Sequence, residues 1–208
     1  MWDQRYSEEG FAYGTAPNDF LVAEYEHIPR AGRVLSLAEG EGRNAVFLAK
    51  QGYDVTGVDQ SSVGLQKAQR LAAEQGVHLT TIHADLADYE PGETCWDGVV
   101  SLWAHLPTAL CDHFYPRVVK ALKPGGIFIL EAYTLQHLEM DGVGGPPSDQ
   151  TDRFSSLERL KRGLDGLEFI IGHEIERHVS EGKYHQGHSA VVQVVARKPG
   201  HVPTDPDK

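Results

Sequence analysis

The sequence is poor in cysteine and in basic residues, and it has no long apolar run. Its 208 residues contain only two cysteines, which excludes a disulfide framework and a cysteine-rich zinc fold. Two free cysteines fit a reducing compartment, so we expect a cytoplasmic protein. No stretch approaches the roughly 20 apolar residues of a membrane span. The N-terminus has no signal-peptide core, and we expect no membrane partner.

The shortage of positive charge also excludes one class of partner. Lys and Arg number 19 against 30 Asp and Glu, which gives a formal net charge of −11. Proteins bind nucleic acid largely through Lys and Arg side chains, and no basic run is present here. We therefore expect no nucleic-acid partner, and no sequence feature indicates an oligomeric state.

What the chain does contain is an alternation of strand-like and helix-like segments. Apolar runs predict strands at 33–37, 54–59, 79–83, 96–102 and 126–133, and helical spacing predicts helices at 44–51, 61–75 and 107–122. Repeated strand–helix–strand units predict an α/β fold: a Rossmann-like, doubly wound, mostly parallel sheet with helices on both faces.

The last third of the chain departs from this alternation. After a helix near 156–164, two β-rich runs at 167–177 and 189–197 are joined by about a dozen residues without a helical pattern. Parallel neighbours would need a longer crossover, so the sequence predicts a C-terminal antiparallel β-hairpin. We expect one domain over 1–198, with 1–30 as an N-terminal arm or lid, a long loop at 141–152, and a flexible tail at 199–208.

A glycine-rich turn follows the first predicted strand. Gly40 and Gly42 stand where the strand turns into a helix, so a ligand can approach the backbone and the free amides of the helix start. Asp59 ends the second strand 19 residues after Gly40, where an acid can accept both ribose hydroxyls of a nucleoside.

The charges beside this turn discriminate between ligands. Gly40 to Ala45 match G-x-G-x-x-A, a dinucleotide fingerprint. However, the carboxylates of Glu39 and Glu41 would repel a pyrophosphate. A ligand with a sulfonium and an ammonium and no phosphate, such as S-adenosylmethionine, suits the turn better.

Five features then occur in the order found in the class I S-adenosylmethionine-dependent methyltransferases, and the chain resembles this family over roughly 30–200. They are the glycine turn at 39–42, Asp59, Ala84-Asp85-Leu86, the Trp96–Val100 strand and the Leu122–Gly126 segment before strand five. The opening Trp2-Asp3-x-Arg5-Tyr6, with Gly42-Arg43-Asn44, is similar to the tellurite-resistance-type branch and to thiopurine methyltransferases. The resemblance implies seven strands.

The resemblance also implies which residues bind S-adenosylmethionine and release S-adenosylhomocysteine. Asp59 would hold the ribose, Asp85 would accept from the adenine amino group, and Tyr13 would close over the cofactor from the arm. The remaining implied cofactor contacts are Ala38, Glu39, Gly40, Glu41 and Asn44 at the turn, Gln60, Ser61 and Leu86 around the adenosine, and Leu102 and Trp103 after strand four.

Two positions in the turn depart from the family pattern. Ser36 stands where the family often has an acid, and Ala38 stands where it often has glycine. Ser36 removes a carboxylate that commonly helps to hold the methionine ammonium. Our hypothesis is that Glu39 or Glu41 compensates.

Methyl transfer is an in-line displacement that mainly requires an aligned nucleophile and the exclusion of water. We expect substrate-side roles for His105, just past strand four, and for Arg177, Tyr184 and His185 near the hairpin. The favoured acceptor is a small thiol or a tellurite- or selenite-type oxyanion, since soft anions need no strong base. His185 and His188 have a spacing too short for a convincing metal site, and we expect no metal.

Two alternatives remain at this point. A nicotinamide-dependent oxidoreductase would need the glycine turn to accept a pyrophosphate beside two glutamates, and no Tyr-x-x-x-Lys pattern is evident. A non-catalytic S-adenosylmethionine-binding partner protein is the second alternative, because Ser36 and Ala38 alter the turn. Turnover would separate the second alternative from a methyltransferase.

Overall fold

A computed structural model of the chain describes residues 1–200, which form a seven-stranded sheet with the strand order β3-β2-β1-β4-β5-β7-β6. The first five strands are parallel, whereas β7 pairs antiparallel with both β5 and β6. The bounds are β1 Arg33–Leu37, β2 Asp54–Asp59, β3 Thr80–His83, β4 Trp96–Leu102, β5 Leu122–Tyr133, β6 Glu168–Glu181 and β7 His185–Arg197. The predicted fold class is confirmed.

Helices cover both faces of this sheet. Their bounds are α1 Trp2–Tyr6, α2 Asp19–Glu24, α3 Arg43–Lys50, α4 Ser62–Glu74, α5 Thr108–Ala121 and α6 Leu157–Gly163. The two faces bury separate apolar clusters. Phe114 and Phe128 are buried in the cluster under α5, and Leu48 and Leu71 are buried in the one under α3 and α4. Helices on both faces explain why β1 and β4 are buried along nearly their whole length. None of the helices in residues 1–200 is both long and apolar enough to cross a bilayer.

The prediction for the hairpin was wrong in its extent. Its strands continue past 177 and begin before 189, with a ladder that reaches Glu181 opposite His185 and leaves only three residues in the turn. The inward positions of this extension carry Val179, Glu181 and His185, all buried. Because two of these three side chains are polar, the segment lacks the apolar alternation by which a strand is recognised.

Smaller differences concern the N-terminal and middle segments. The arm contains α1 and α2, for which the sequence analysis made no prediction, and β5 starts at Leu122 instead of residue 126. The predicted 141–152 loop has no α-helix or named strand, although Val143 bridges to Gln186 on the hairpin. Most of the predicted tail, 201–208, lies outside the described residues.

Candidate active site

The strand order reverses between β1 and β4. Each of these two strands is followed directly by a non-glycine residue with a positive φ angle. After β1, Ala38 has a φ of 49°, and after β4, Trp103 has a φ of 60°. Left-handed conformations at non-glycine residues are strained and concentrate at functional sites. In open α/β sheets the ligand crevice lies at the carboxyl ends of the strands where their order reverses. The candidate site is built around these two strand ends.

The glycine turn lies beside this crevice and needs glycine for space as well as for conformation. Gly42 has a φ of 95°, and a Cβ there would lie 2.6 Å from Cα of Ala68 in α4. Gly42 is also the N-cap of α3, with no capping side chain. Glu39 accepts from the amide of Ala45, so among the first amides of α3 those of Arg43 and Asn44 remain available to a ligand.

Asp59 is held in place by backbone amides at the end of β2. Its Oδ2 accepts from the Gly40 amide at 2.8 Å, and its Oδ1 accepts from the Ser61 amide at 2.7 Å. Ser61 in turn caps α4 through Gly64. Burial raises the pKa of Asp59, and these two amide hydrogen bonds oppose that rise. The carboxylate thus joins the glycine turn to the start of α4.

The side chain of Glu39 contacts Ser36, the position at which the family often has an acid. Its carboxylate accepts from the Ser36 hydroxyl and, at 2.9 Å, from the Ala45 amide of α3. A Cβ at Gly57 would lie 3.1 Å from Cγ of Glu39, so that glycine makes room for the side chain. Burial raises the pKa of Glu39 to about 7, against the two hydrogen bonds.

Glu41 binds the N-terminal arm. Its carboxylate pairs with Lys67 Nζ at 2.9 Å and accepts from the Ala12 amide at 2.7 Å. The same ammonium donates to the carbonyl oxygens of Glu8 and Gly10. The carboxylates of Glu39 and Glu41 are both engaged by the chain's own groups, and neither faces the crevice as a free charge.

The arm covers the glycine turn with aromatic side chains. Tyr6 is buried against the turn, and a Cβ at Gly40 would lie 2.6 Å from its hydroxyl oxygen. Asp3 accepts from the Ser61 hydroxyl at 2.5 Å. Farther along the arm, the ring of Tyr13 lies 4.6 Å from that of His185. The arm thus extends from the start of α4 to the hairpin.

The predicted adenosine-side residues lie after β2, β3 and β4. Asp85 is exposed, and its Oδ1 accepts from the Ala87 amide at 2.9 Å, which leaves its other oxygen available. Gln60 is exposed beside Ser61, whereas Leu86 and Leu102 are buried. Asn44 is directed to the arm, where its side-chain oxygen accepts from the Asn18 amide at 2.9 Å.

Two buried carboxylates and two guanidiniums lie between β5 and the hairpin. Glu131, fully buried, accepts two hydrogen bonds from Arg177 at 2.8 and 2.7 Å. Glu181 accepts from Arg43, from Arg177 at 3.1 Å and from the Trp103 indole at 2.6 Å. Burial alone would raise the pKa of Glu181, but Arg43 and the indole hydrogen bond hold it below its usual value. We call these four side chains the buried ion network.

Five rings pack beside this network and form what we call the histidine–aromatic cluster: Trp103, His105, Tyr133, His137 and His185. The Tyr133 ring stacks on His137 at 4.1 Å and on Trp103 at 4.5 Å between centroids, and His185 meets Trp103 edge-on at 4.9 Å. Burial, with a contribution from His137, lowers the pKa of His105 to about 3. Burial likewise lowers the pKa values of His137 and His185.

The four predicted substrate-side residues therefore occupy three places. His105 and His185 lie in the cluster, although His105 Nε2 already accepts from the Tyr133 amide at 3.3 Å. Arg177 belongs to the buried ion network. Tyr184 lies instead at the contact with the arm, where its hydroxyl donates to Glu8 at 2.7 Å.

Sequence reasoning missed Tyr133 and His137 in the cluster and Glu181 in the network. Tyr133 was the last residue of a predicted strand, which was a usable signal, because strand ends carry ligand residues. His137 lies in a short 3-10 helix with no such signal. Among residues 1–200, no three His, Cys, Asp or Glu side chains are arranged to hold a metal ion.

Comparisons with known proteins agree with this arrangement. A family model described as a methyltransferase domain matches residues 34–126. A protein of Geobacillus sp. (strain WCH70) named as a methyltransferase is 30% identical over 197 residues, covering 85% of this chain and 77% of that protein. The 2-heptyl-1-hydroxyquinolin-4(1H)-one methyltransferase of Mycobacteroides abscessus is 31% identical over 121 residues, and this chain spans about half of its length, 52%.

Solved structures share the fold at low sequence identity. A structure described for the conversion of a disulfide bond into a thioacetal group during echinomycin biosynthesis has a TM-score of 0.73 and 21% identity, covering 97% of this chain and 92% of that chain. TehB from Haemophilus influenzae has a TM-score of 0.69 and 20% identity, covering 95% of this chain and 65% of that chain.

The fold, the glycine turn and these relatives define the class of protein: the chain belongs to the methyltransferases. Two solved structures that share the fold are described as a SAM-dependent methyltransferase from Methanosarcina mazei and as a methyltransferase of Burkholderia thailandensis with bound S-adenosylhomocysteine, at 15% and 21% identity. This membership decides against the oxidoreductase alternative.

Proposed function

We propose that the chain transfers the methyl group of S-adenosylmethionine to a small molecule bound between the arm, β4 and the hairpin. The observation that carries this proposal is the Asp59 carboxylate, buried and fixed by the Gly40 and Ser61 amides beside the glycine turn. A fixed carboxylate with remaining lone pairs can accept both hydroxyls of a ribose.

The residues around the turn fit this cofactor. The Arg43 and Asn44 amides at the start of α3 are available to the methionine carboxylate, and Asp85 has a free oxygen for the adenine amino group. The backbone of Ala38 and Gly40, with Leu86, Leu102 and Trp103, would line the remaining surface. Glu39 and Glu41 contribute through their backbone, since their side chains are engaged elsewhere.

The arm acts as a lid in this proposal. Tyr6 covers the glycine turn and Tyr13 contacts His185, so residues 1–30 close the cofactor site on one side and the acceptor site on the other. Excluding water in this way favours transfer to the acceptor over side reactions. We propose that residues 1–198 work as one unit.

When bound, S-adenosylmethionine supplies a methyl group that its sulfonium already activates. The task left to the protein is to align a nucleophile with that carbon and to keep the site dry. Trp103, held by its indole hydrogen bond to Glu181, is the ring of the cluster that directly follows β4. The acceptor therefore meets the methyl group at the end of β4.

The sequence resembles the tellurite-resistance-type branch, and it favours a thiol or a tellurite- or selenite-type oxyanion. The relatives support a small acceptor: one is named for a hydroxyquinolone, and one structure concerns a disulfide-to-thioacetal conversion. These acceptors differ in charge. The charged side chains around the histidine–aromatic cluster therefore influence which of these acceptors can bind.

Calorimetric titration with S-adenosylmethionine, S-adenosylhomocysteine and NADH tests the proposal. We expect both adenosyl ligands to bind and NADH not to bind. Asp59→Ala should weaken cofactor affinity at least tenfold, about 1.4 kcal/mol, because ribose loses a charged acceptor. Asp54→Ala, at the exposed start of the same strand, is the matched control and should bind normally. Unchanged affinity in Asp59→Ala would remove that residue from the site.

A further inference from the structure

Each of the two glutamates of the buried ion network accepts four hydrogen bonds. The donors to Glu131 are Arg177, which donates twice, Gln193 and Asn18. The donors to Glu181 are Arg43, Trp103, Arg177 and Asn18. An ionised carboxylate offers about four lone-pair sites, so both sets are complete. Asn18 occurs in both sets, and it comes from the N-terminal arm.

The amide of Asn18 matches its surroundings group by group. Its oxygen accepts from the Leu21 amide at 2.9 Å and so caps α2. Its nitrogen, which carries two donors, lies 2.5 Å from Glu131 Oε2 and 2.9 Å from Glu181 Oε1. The whole residue is buried.

A cap alone does not explain an asparagine at this position. Aspartate caps a helix as well as asparagine does. At position 18, however, it would place a third buried carboxylate against Glu131 and Glu181, whose charges the two guanidiniums of the network already balance. An unbalanced buried charge is costly. Position 18 therefore requires a neutral donor.

The same part of the arm holds the start of α3. The Asn18 backbone amide donates to Asn44 Oδ1 at 2.9 Å, and Arg43 donates to the Ala16 carbonyl oxygen at 3.1 Å. Arg43 and Asn44 are the first two residues of α3, and both are buried. Because Gly42 supplies no capping side chain, these long-range contacts fix the helix start instead.

The two halves of the cofactor site depend on different contacts. The Arg43 and Asn44 amides are available to the methionine carboxylate, and an amide binds a carboxylate best when its direction is already fixed. On the ribose side, Asp59 is fixed by the Gly40 and Ser61 amides, without help from residues 16–18. Loss of the contacts at position 18 should therefore affect the methionine half of the ligand alone.

We propose that Asn18 is a positioning residue for the cofactor. By completing the hydrogen bonds of Glu131 and Glu181, it holds residues 16–18 of the arm against α3. It thereby fixes the Arg43 and Asn44 amides that receive the methionine carboxylate. Docking of this part of the arm and formation of the carboxylate site are then a single event. The inference rests on the proposed function, because it concerns the same cofactor.

Calorimetric titration of Asn18→Asp with S-adenosylhomocysteine and with 5′-methylthioadenosine tests this role. The second ligand has the adenosine and the sulfur but lacks the amino-acid half. We expect the affinity for S-adenosylhomocysteine to fall about tenfold, because its carboxylate loses aligned amide donors. The affinity for 5′-methylthioadenosine should stay unchanged. A substitution that only destabilised the fold would weaken both ligands alike.

Gln193→Glu is the matched control. Gln193 donates to Glu131 at 2.7 Å from β7, so this change places the same new charge against Glu131 without touching the arm. We expect the ratio of the two affinities to stay as in the unaltered chain. Asn18→Ser still caps α2 and removes the donors to both glutamates without adding a charge. It should weaken S-adenosylhomocysteine selectively, and it decides the test if Asn18→Asp does not fold.

Three results would overturn the inference. They are equal weakening of both ligands at position 18, unchanged affinity for both ligands there, and a selective loss of S-adenosylhomocysteine affinity in Gln193→Glu. Absence of binding of both ligands by the unaltered chain would instead overturn the proposed function.

Discussion

The two halves of the crevice hold their carboxylates by different means. On the glycine-turn side, backbone amides hold Asp59 and Glu39. On the hairpin side, side chains hold Glu131 and Glu181, mainly the guanidiniums of the buried ion network. Backbone amide donors are present whatever the side chains of the turn are. A guanidinium donor, in contrast, is lost when its arginine is substituted.

This difference implies different tolerance of mutation. Replacing a carboxylate on the glycine-turn side leaves amides that a neutral oxygen or water can satisfy. Replacing one on the hairpin side leaves a buried positive charge, which costs far more. The predictions below test that contrast, from the largest expected effect to the smallest.

The largest effect is expected from Glu131→Ala. The change leaves Arg177, Asn18 and Gln193 without their shared acceptor at a fully buried position. Removing one partner of a buried ion pair costs about 3–5 kcal/mol, which urea unfolding at neutral pH would measure. Glu168→Ala breaks only the exposed pair with Arg197 and should cost under ~1 kcal/mol. An equal loss of unfolding free energy in the two variants would contradict the expectation that ion pairs of the buried network stabilise the fold more than exposed ones.

Glu39 should give the glycine-turn side a distinctive pH dependence. Its pKa rises from 4.5 to about 7 on folding because the side chain is buried, so the folded chain binds this proton more tightly. The contribution of this carboxyl to stability should therefore be full below about pH 4.5 and fall as the pH rises to about 7, by at most ~3 kcal/mol.

Glu39→Gln should abolish that fall, because a neutral amide can still bond to Ser36 and Ala45. Unfolding free energies measured between pH 4.5 and 7.5 check this, with Glu158→Gln on exposed α6 as the control. The same pH slope in Glu39→Gln and the unaltered chain would assign the dependence to other groups.

Lys67→Met should loosen the arm without altering the sheet. The ammonium holds two arm carbonyls and Glu41, so its loss leaves only the Ala12 amide on that carboxylate. We expect hydrogen exchange at the Ala12 amide to accelerate about tenfold, a local loss of about 1.4 kcal/mol. Amides of β4 should exchange unchanged. Slow exchange at Ala12 would show that other contacts hold the arm.

Ala38→Gly should give the smallest effect and the opposite sign. Ala38 has a φ of 49°, which glycine adopts without strain, so the change should stabilise the fold by about 0.5–1 kcal/mol. Ala45→Gly inside α3 should instead destabilise it by about 1 kcal/mol. Thermal unfolding of the two variants measures the sign of each stability change. A loss of stability in Ala38→Gly would show that the Ala38 methyl packs favourably.

The contrast between the two sides also explains what could be predicted from sequence. The glycine turn and the strand patterns follow from local rules, so the fold class and the ends of β1, β2 and β4 were predicted as the structure has them. The hypothesis that Glu39 or Glu41 replaces the acid missing at Ser36 stays a prediction: Glu39 contacts Ser36 itself, whereas Glu41 pairs with Lys67.

The hairpin side could not be predicted in the same way. Glu181 is buried beside Arg43, which lies 138 positions away in the chain, and no local pattern shows such a pairing. His137 reaches the cluster through a short 3-10 helix, and Tyr184 is diverted to the arm by Glu8. Long-range side-chain contacts decided these positions.

The place of β7 in the sheet has a consequence for synthesis on the ribosome. This strand is made after β5 and β6, yet it lies between them in the sheet. Until Gln193 emerges from the exit tunnel, β5 has an open edge and Glu131 lacks a partner that holds it in the finished protein. The half of the sheet that carries β1 to β4 can assemble earlier. The nascent chain should therefore carry a formed glycine turn beside an unfinished edge, which is the interval in which a chaperone would be needed.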